Sequence, residues 1–236
     1  MAKSALIMAS IYLIRHGQAG FGKLNYDQLS ELGWQQAERV GQALAQRGVE
    51  AGQVVHGAMV RHRETLQGAQ RHWHAHGPVS EMAGFNEFDS DDVVACAFPK
   101  FKNKAAFGAW LLAQKNRRKA FQQVFAEAVE RWTSGEHNDY QESWLEFTSR
   151  CTQALDQLIE QLDGKNAVVF TSGGPVTAIA QQCLGLSNEK AFDLNWTFWN
   201  AGISQVLYNS AGKKSLASCN EHHHLAAAGQ RYLTYR

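Results

Sequence analysis

The sequence predicts an α/β fold, a three-layer sandwich in which helices flank a mostly parallel central sheet. Three observations predict it. Short apolar runs suited to buried strands recur at Ile11-Tyr12-Leu13-Ile14, Val54-Val55-His56 and Ala167-Val168-Val169-Phe170-Thr171. Between them lie stretches whose apolar residues return with helical spacing. Strands alternating with helices bury a single sheet from both faces. At 236 residues the chain suits one such domain, 1–236, with a helical insertion at about 91–140.

The first strand breaks off at Arg15-His16-Gly17. Unpaired charge is costly in a core, so Arg15 and His16 belong where the strand emerges. Ser30 is placed to cap a helix carrying Ala37, Val40, Gly41 and Leu44, which Gly48 stops. After the second strand, the spacing of Leu66, Ala69 and Trp73 predicts a helix from about Arg63 to Trp73. Phe121, Val124, Phe125, Ala128, Val129 and Trp132 mark an amphipathic helix within the insertion. Another runs from near Ser143 to Leu162 and ends at Gly164. The third strand opens through Ser172-Gly173-Gly174-Pro175 into a helix, with Pro175 in its first turn. Ile203 to Tyr208 and Ser215 to Ser218 read as later strands.

Composition narrows the function. A formal net charge of +1 projects no field toward nucleic acid or an anionic membrane. No apolar run approaches the roughly 20 residues of a spanning helix. Met1 to Ser10 leave too little room for a secretory signal ahead of the first strand, so a cytoplasmic protein is expected. The four cysteines are scattered without a CxxC pair, and Cys151 and Cys183 read as buried thiols. His222-His223-His224 does not read as a metal site, because consecutive side chains diverge on a strand or helix. Lys100, Lys102, Lys104, Lys115, Arg117, Arg118 and Lys119 read as a solvated helical surface. Trp196, Phe198 and Trp199 read as core packing, with a homodimer patch as the second reading.

Three strand ends bring polar groups to one rim, the place where open α/β sheets bind ligands. Beside an imidazole, a guanidinium offers a fixed fork of donors to phosphate oxygens. A histidine there is a nucleophile near neutral pH. Arg15-His16-Gly17, followed by Gln18-Ala19 and a loop to Tyr26-Asp27-Gln28-Leu29-Ser30-Glu31-Leu32-Gly33, resembles the signature of the histidine phosphatase superfamily, the phosphoglycerate-mutase-like proteins. Gly57-Ala58-Met59-Val60-Arg61-His62-Arg63-Glu64-Thr65 is similar to its second motif, where Arg61 matches the phosphate-binding arginine. Asn86-Glu87-Phe88-Asp89 resembles the segment that supplies the general acid.

The resemblance implies a phosphoglycerate-mutase-like fold and a phosphatase acting on a small phosphorylated substrate. His16 becomes phosphorylated, Arg15 and Arg61 neutralise charge, and Glu87 protonates the departing alcohol. Gly17, Gln18, Ser172 and Gly173 surround the substrate, and no metal or organic cofactor is required. Asp89 stands as an alternative proton donor, or as a like-charged neighbour raising the pKa of Glu87.

One position departs from the pattern. Before the paired glycines the family places its second catalytic histidine, and this chain has Ser172. Serine keeps a hydrogen bond and removes a charge; losing one preorganised donor costs about 2.7–4 kcal/mol. Two expectations follow: a phosphatase of weakened activity, its lost charge restored by His56, His62 or His137, or a catalytically depleted phospho-ligand-binding or regulatory protein.

Overall fold

The computed structural model describes residues 8–20 and 27–235. Tyr26 and most of the N-terminal segment lie outside them. The described residues form a six-stranded sheet in the order β3-β2-β4-β1-β5-β6. Its strands are β1 (Ala9–Arg15), β2 (Gln53–His56), β3 (Val79–Glu81), β4 (Ala167–Thr171), β5 (Ile203–Tyr208) and β6 (Lys214–Glu221). The β3-β2, β2-β4 and β4-β1 pairs are parallel, whereas β1-β5 and β5-β6 are antiparallel. The sheet is therefore parallel where the three predicted strands lie and turns antiparallel at one edge.

Successive residues of β1 serve opposite faces, as a strand's two-residue period requires. Ile11 and Leu13 join Val55, Val169, Leu155, Leu158 and Ile179 in one core cluster. Ile14 joins Val54, Phe170, Val40, Leu44 and Leu66 in another. Helices α1 (Glu31–Gln46) and α2 (Val60–Ala69) cover the second face; α6 (Trp144–Leu162) and α7 (Gly173–Leu184) cover the first. Ser30 caps α1 by accepting from Gly33 N, and Gly48 leaves the helix with φ +60°. Gly41 lies where a Cβ would strike the backbone of Ala69, so α1 and α2 touch through it.

The insertion folds as α3 (Ser90–Ala97), α4 (Lys104–Leu112) and α5 (Arg117–Thr133). Its core holds Val93, Phe101, Phe125, Val129 and Trp132, and it meets the body through Phe88, Trp144, Phe147 and Phe192. The short helix α8 (Asn188–Asn195) carries Phe192 to that junction. Lys100, Lys102, Arg117, Arg118 and Lys119 are solvent-exposed. Phe198 is buried in the first cluster and Trp196 packs on Phe125 and Phe192. The triple histidine opens the last helix, α9 (His223–Ala226), with His222 and His224 bonded to different carbonyls, Asn220 O and Ala201 O.

One expectation needs correction. The second helix begins at Val60 and ends at Ala69, not at Arg63 and Trp73. Trp73 is still buried, its indole N–H donating to Val49 O at 2.8 Å. Asp89, expected as an alternative proton donor, serves the helix that follows it. It is exposed and caps α3, accepting from Asp91 N at 2.9 Å and Asp92 N at 3.1 Å.

Candidate active site

Parallel pairing of β1 with β4 matches Arg15 to Thr171. The next residue of each chain segment, His16 and Ser172, therefore leaves the sheet at the same place. His16 N donates to Thr171 O at 2.8 Å, and Ala201 N donates to His16 O at 3.1 Å. These bonds fix the backbone of His16 from two neighbouring segments.

The His16 ring is 7 % exposed. Its Nδ1 lies 2.7 Å from Gly17 O. A carbonyl only accepts, so the hydrogen sits on Nδ1 and the lone pair on Nε2. Burial, and then the charges of Arg61 and Arg15, hold the pKa of His16 well below 6.5. The ring is thus a neutral imidazole whose Nε2 carries a lone pair, close enough to both predicted arginines to feel their fields.

Each arginine is anchored to the protein. Arg15 Nη1 donates to Phe198 O, and its Nε lies about as far as van der Waals contact, 3.6 Å, from where a Gly173 Cβ would sit. A Cβ there would instead crowd Asn195 Oδ1, at 2.8 Å. Arg61 Nη1 donates to Asp27 Oδ1 at 2.9 Å, while Asp27 Oδ2 accepts Val60 N at 2.8 Å. Asp27 caps α2 from outside and pairs with the arginine one residue further on.

Glu87 approaches from the start of the insertion. Its Oε2 accepts Gly174 N at 3.3 Å, so it faces the positive end of α7. A Cβ on Gly174 would strike Glu87 Oε1, and would lie 2.9 Å from Phe147 Cζ. The second glycine is required by this approach. Arg150 holds the segment from the far side. Its Nη1 donates to Gly84 O at 3.0 Å and Asn86 O at 3.1 Å, and Glu142 takes its Nε at 2.6 Å and Nη2 at 2.9 Å.

Gly17 and Gln18 are tied into the scaffold. Gly17 N donates to Thr65 Oγ1 at 3.1 Å, and Gln18 N to Gln36 Oε1 at 2.8 Å. The Gln18 side chain accepts the Ser30 hydroxyl at 2.9 Å. Gly17 also lies so close to Gly33 that a Cβ on either would strike the other's loop backbone.

Of the three histidines offered in place of the missing one, His62 reaches the site. Its Nε2 is 2.7 Å from Ser172 Oγ, both residues are 0 % exposed, and its ring centroid is 5.9 Å from that of His16. Burial, then Arg61 and His56, hold the pKa of His62 well below 6.5. His56 points its Nδ1 at Gly57 O, 2.9 Å away. His137 is exposed and lines a 520 Å³ groove with Trp144, Thr148 and Gln181. His16 lines neither that groove nor the 390 Å³ hollow beside Gln18, Ser30 and Arg231.

Sequence reasoning missed Asp27 and Arg150. Asp27 stood inside the first motif, but its partners are 33 and 34 residues away. Arg150 lies on the apolar-striped α6, 64 residues from Asn86, and left no local signal.

No curated protein matches the sequence. Solved structures share the fold: phosphoglycerate mutase from Bacillus anthracis aligns with a TM-score of 0.63 at 15 % identity, covering 94 % of this chain and 96 % of that one. Bacillus stearothermophilus YhfR aligns at 0.66 with 15 % identity, over 92 % and 98 %. Phosphoserine phosphatase from Entamoeba histolytica aligns at 0.63 with 20 % identity, over 92 % and 99 %. The family profile matches residues 11–221, from the strand that carries His16 to the end of β6. The chain belongs to the histidine phosphatase superfamily, branch 1.

Proposed function

We propose that the chain hydrolyses a small phosphomonoester through a phosphohistidine formed on His16. The observation that carries this reading is the bond from His16 Nδ1 to Gly17 O, which leaves Nε2 unprotonated in the field of two guanidinium groups. In the proposed scheme Nε2 attacks phosphorus while Arg15 and Arg61 neutralise charge on the equatorial oxygens. The ester oxygen departs with the proton of Glu87. Water then attacks the phosphohistidine and gives a proton to the Glu87 carboxylate, which releases phosphate and restores His16 and the acid. These residues supply nucleophile, charge and proton, so the scheme calls on no metal or organic cofactor.

The test is an acid-labile phosphoenzyme trapped from the native chain with a labelled phosphomonoester, together with steady-state turnover. His16→Ala abolishes both on this reading. Native turnover equal to the His16→Ala background overturns it.

One observation favours a second reading, a phospho-ligand-binding protein with little turnover. Arg61 is already paired with Asp27 through Nη1, so an anion shares that guanidinium with a carboxylate and meets a partly neutralised charge. Phosphate binding without turnover above background would select this reading.

A further inference from the structure

We infer that His62 is a positioning residue which acts on a bound phosphoryl group through Ser172, so that the two side chains together take the place of a histidine at position 172. The inference rests on the reading of this rim as a phosphoryl site, though not on turnover.

Register places Ser172 beside His16. Arg15 and Thr171 are paired across the parallel ladder, and each is followed by one of these residues. Ser172 is the N-cap of α7 by position, yet its hydroxyl caps no helical N–H. A serine in that place ordinarily turns its oxygen onto the helix. Here the oxygen is 2.7 Å from His62 Nε2 instead. The other side of the His62 ring packs on Gly57. His62 is fully buried, and a Cβ on Gly57 would strike its Nδ1, so the side chain of residue 57 has been reduced to hydrogen to fit the ring.

A hydroxyl donates one hydrogen and accepts others. When His62 Nε2–H donates to Ser172 Oγ, the serine hydrogen remains for a phosphoryl oxygen on His16. Hydrogen bonds in such a chain polarise one another, and low surrounding dielectric strengthens both. The proton stays on the imidazole, and no bond is made or broken at either residue. The groups facing His62 are Arg61 on its own helix, His56 at the end of β2 and His16 at the end of β1. Burial first, and then Arg61, disfavour charge on this ring in the empty site, and an arriving dianion offsets the second of these.

The test is a double-mutant cycle on the full chain, reading tungstate affinity by calorimetry. His62→Ala and Ser172→Ala should each weaken tungstate binding about tenfold, the value of one charge-assisted bond. The double variant should bind no worse than the weaker single. His62→Gln, which keeps a donor near the position of Nε2, should bind within about threefold of native. Additive losses, an unchanged His62→Ala, a His62→Gln as weak as His62→Ala, or a native chain that does not bind tungstate overturns the inference. If His62→Ala fails to fold, Ser172→Ala with and without His62→Gln completes the cycle, and His62→Gln should be silent in that background. Native turnover at the His16→Ala level, with the cycle intact, counts against the phosphatase reading alone.

Discussion

A neutral imidazole between two guanidinium groups has a signature in pH. In the proposed scheme attack requires the unprotonated Nε2 of His16, and burial with Arg61 and Arg15 lowers its pKa well below 6.5. The acid limb of kcat/KM, which reports the free protein, is therefore expected below pH 6.5. A limb at or above that value would show a site more solvated than the one described. Asp27 makes a second expectation. Its pairing with Arg61 is one-third exposed on the carboxylate side, so the pair is worth about 1 kcal/mol at most. Asp27→Asn keeps an oxygen for Val60 N and removes the charge that competes with phosphate. Inorganic phosphate should then bind up to about fivefold more tightly, as titration calorimetry would show. Arg15, His16 and Ser172 stand out in the sequence as polar residues where patterned strands end, whereas Arg61 and Glu87 are picked out through the family resemblance alone. His62 was one of three candidates, since spacing along the chain says nothing of which ring a helix turns toward a serine 110 residues on.

The start of α2 explains why one boundary was misread. Met59 offers no side-chain cap, and the cap comes from Asp27 in a distant loop. A local reading sees only Leu66, Ala69 and Trp73, and so starts the helix three residues late. Those three residues include Arg61, whose place in the first turn follows from the distant cap. Strand β3 was missed for a plainer reason: it is three residues long, half exposed and at the edge. Helix α6 offers a paired test of support against stability. Ser143 and Glu146 form a reciprocal cap remote from His16, so Ser143→Ala should cost about 1 kcal/mol and lower Tm by roughly 2–4 °C with turnover unchanged. Arg150 leaves the same helix to hold the carbonyls of Gly84 and Asn86 just before Glu87. Arg150→Ala loses bonds to a charged group worth about 1.5–3 kcal/mol each. It should lower kcat more than it raises KM, because the proposed proton donor, Glu87, wanders while the proposed anion site stays. Equal thermal loss with unchanged kcat would leave Arg150 a structural residue only.

For the whole molecule, three imidazoles with lowered pKa values point to acid sensitivity. His16 and His62 have lowered pKa values, and burial lowers His224 to about 4. In the unfolded chain each titrates near 6.5. Below that pH the unfolded state binds more protons than the folded one, so stability falls as pH falls. The contribution is fully present above about 6.5 and is lost on acidification toward the folded values; for His224 that window closes near 4. Urea midpoints measured from pH 7.5 to 4.5 should decline steadily, and His224→Gln should flatten part of the decline. A midpoint that holds constant through this range would contradict three neutral rings.

The antiparallel edge of the sheet has a consequence for how such a protein changes. β1 and β4 deliver their residues to the rim as they end, whereas β5 starts there. The turn leading into β5 supplies Phe198 O to Arg15, Gly202 O to Arg15 N and Ala201 N to His16 O. It sits downstream of the entire parallel unit, and Ala201 within it holds a left-handed φ of 57°. Alterations confined to this late corner can re-aim His16 and the Arg15 side chain without altering the helices that flank the sheet. Divergence in turnover among related chains should therefore accumulate at this corner first, leaving the body of the fold as it was.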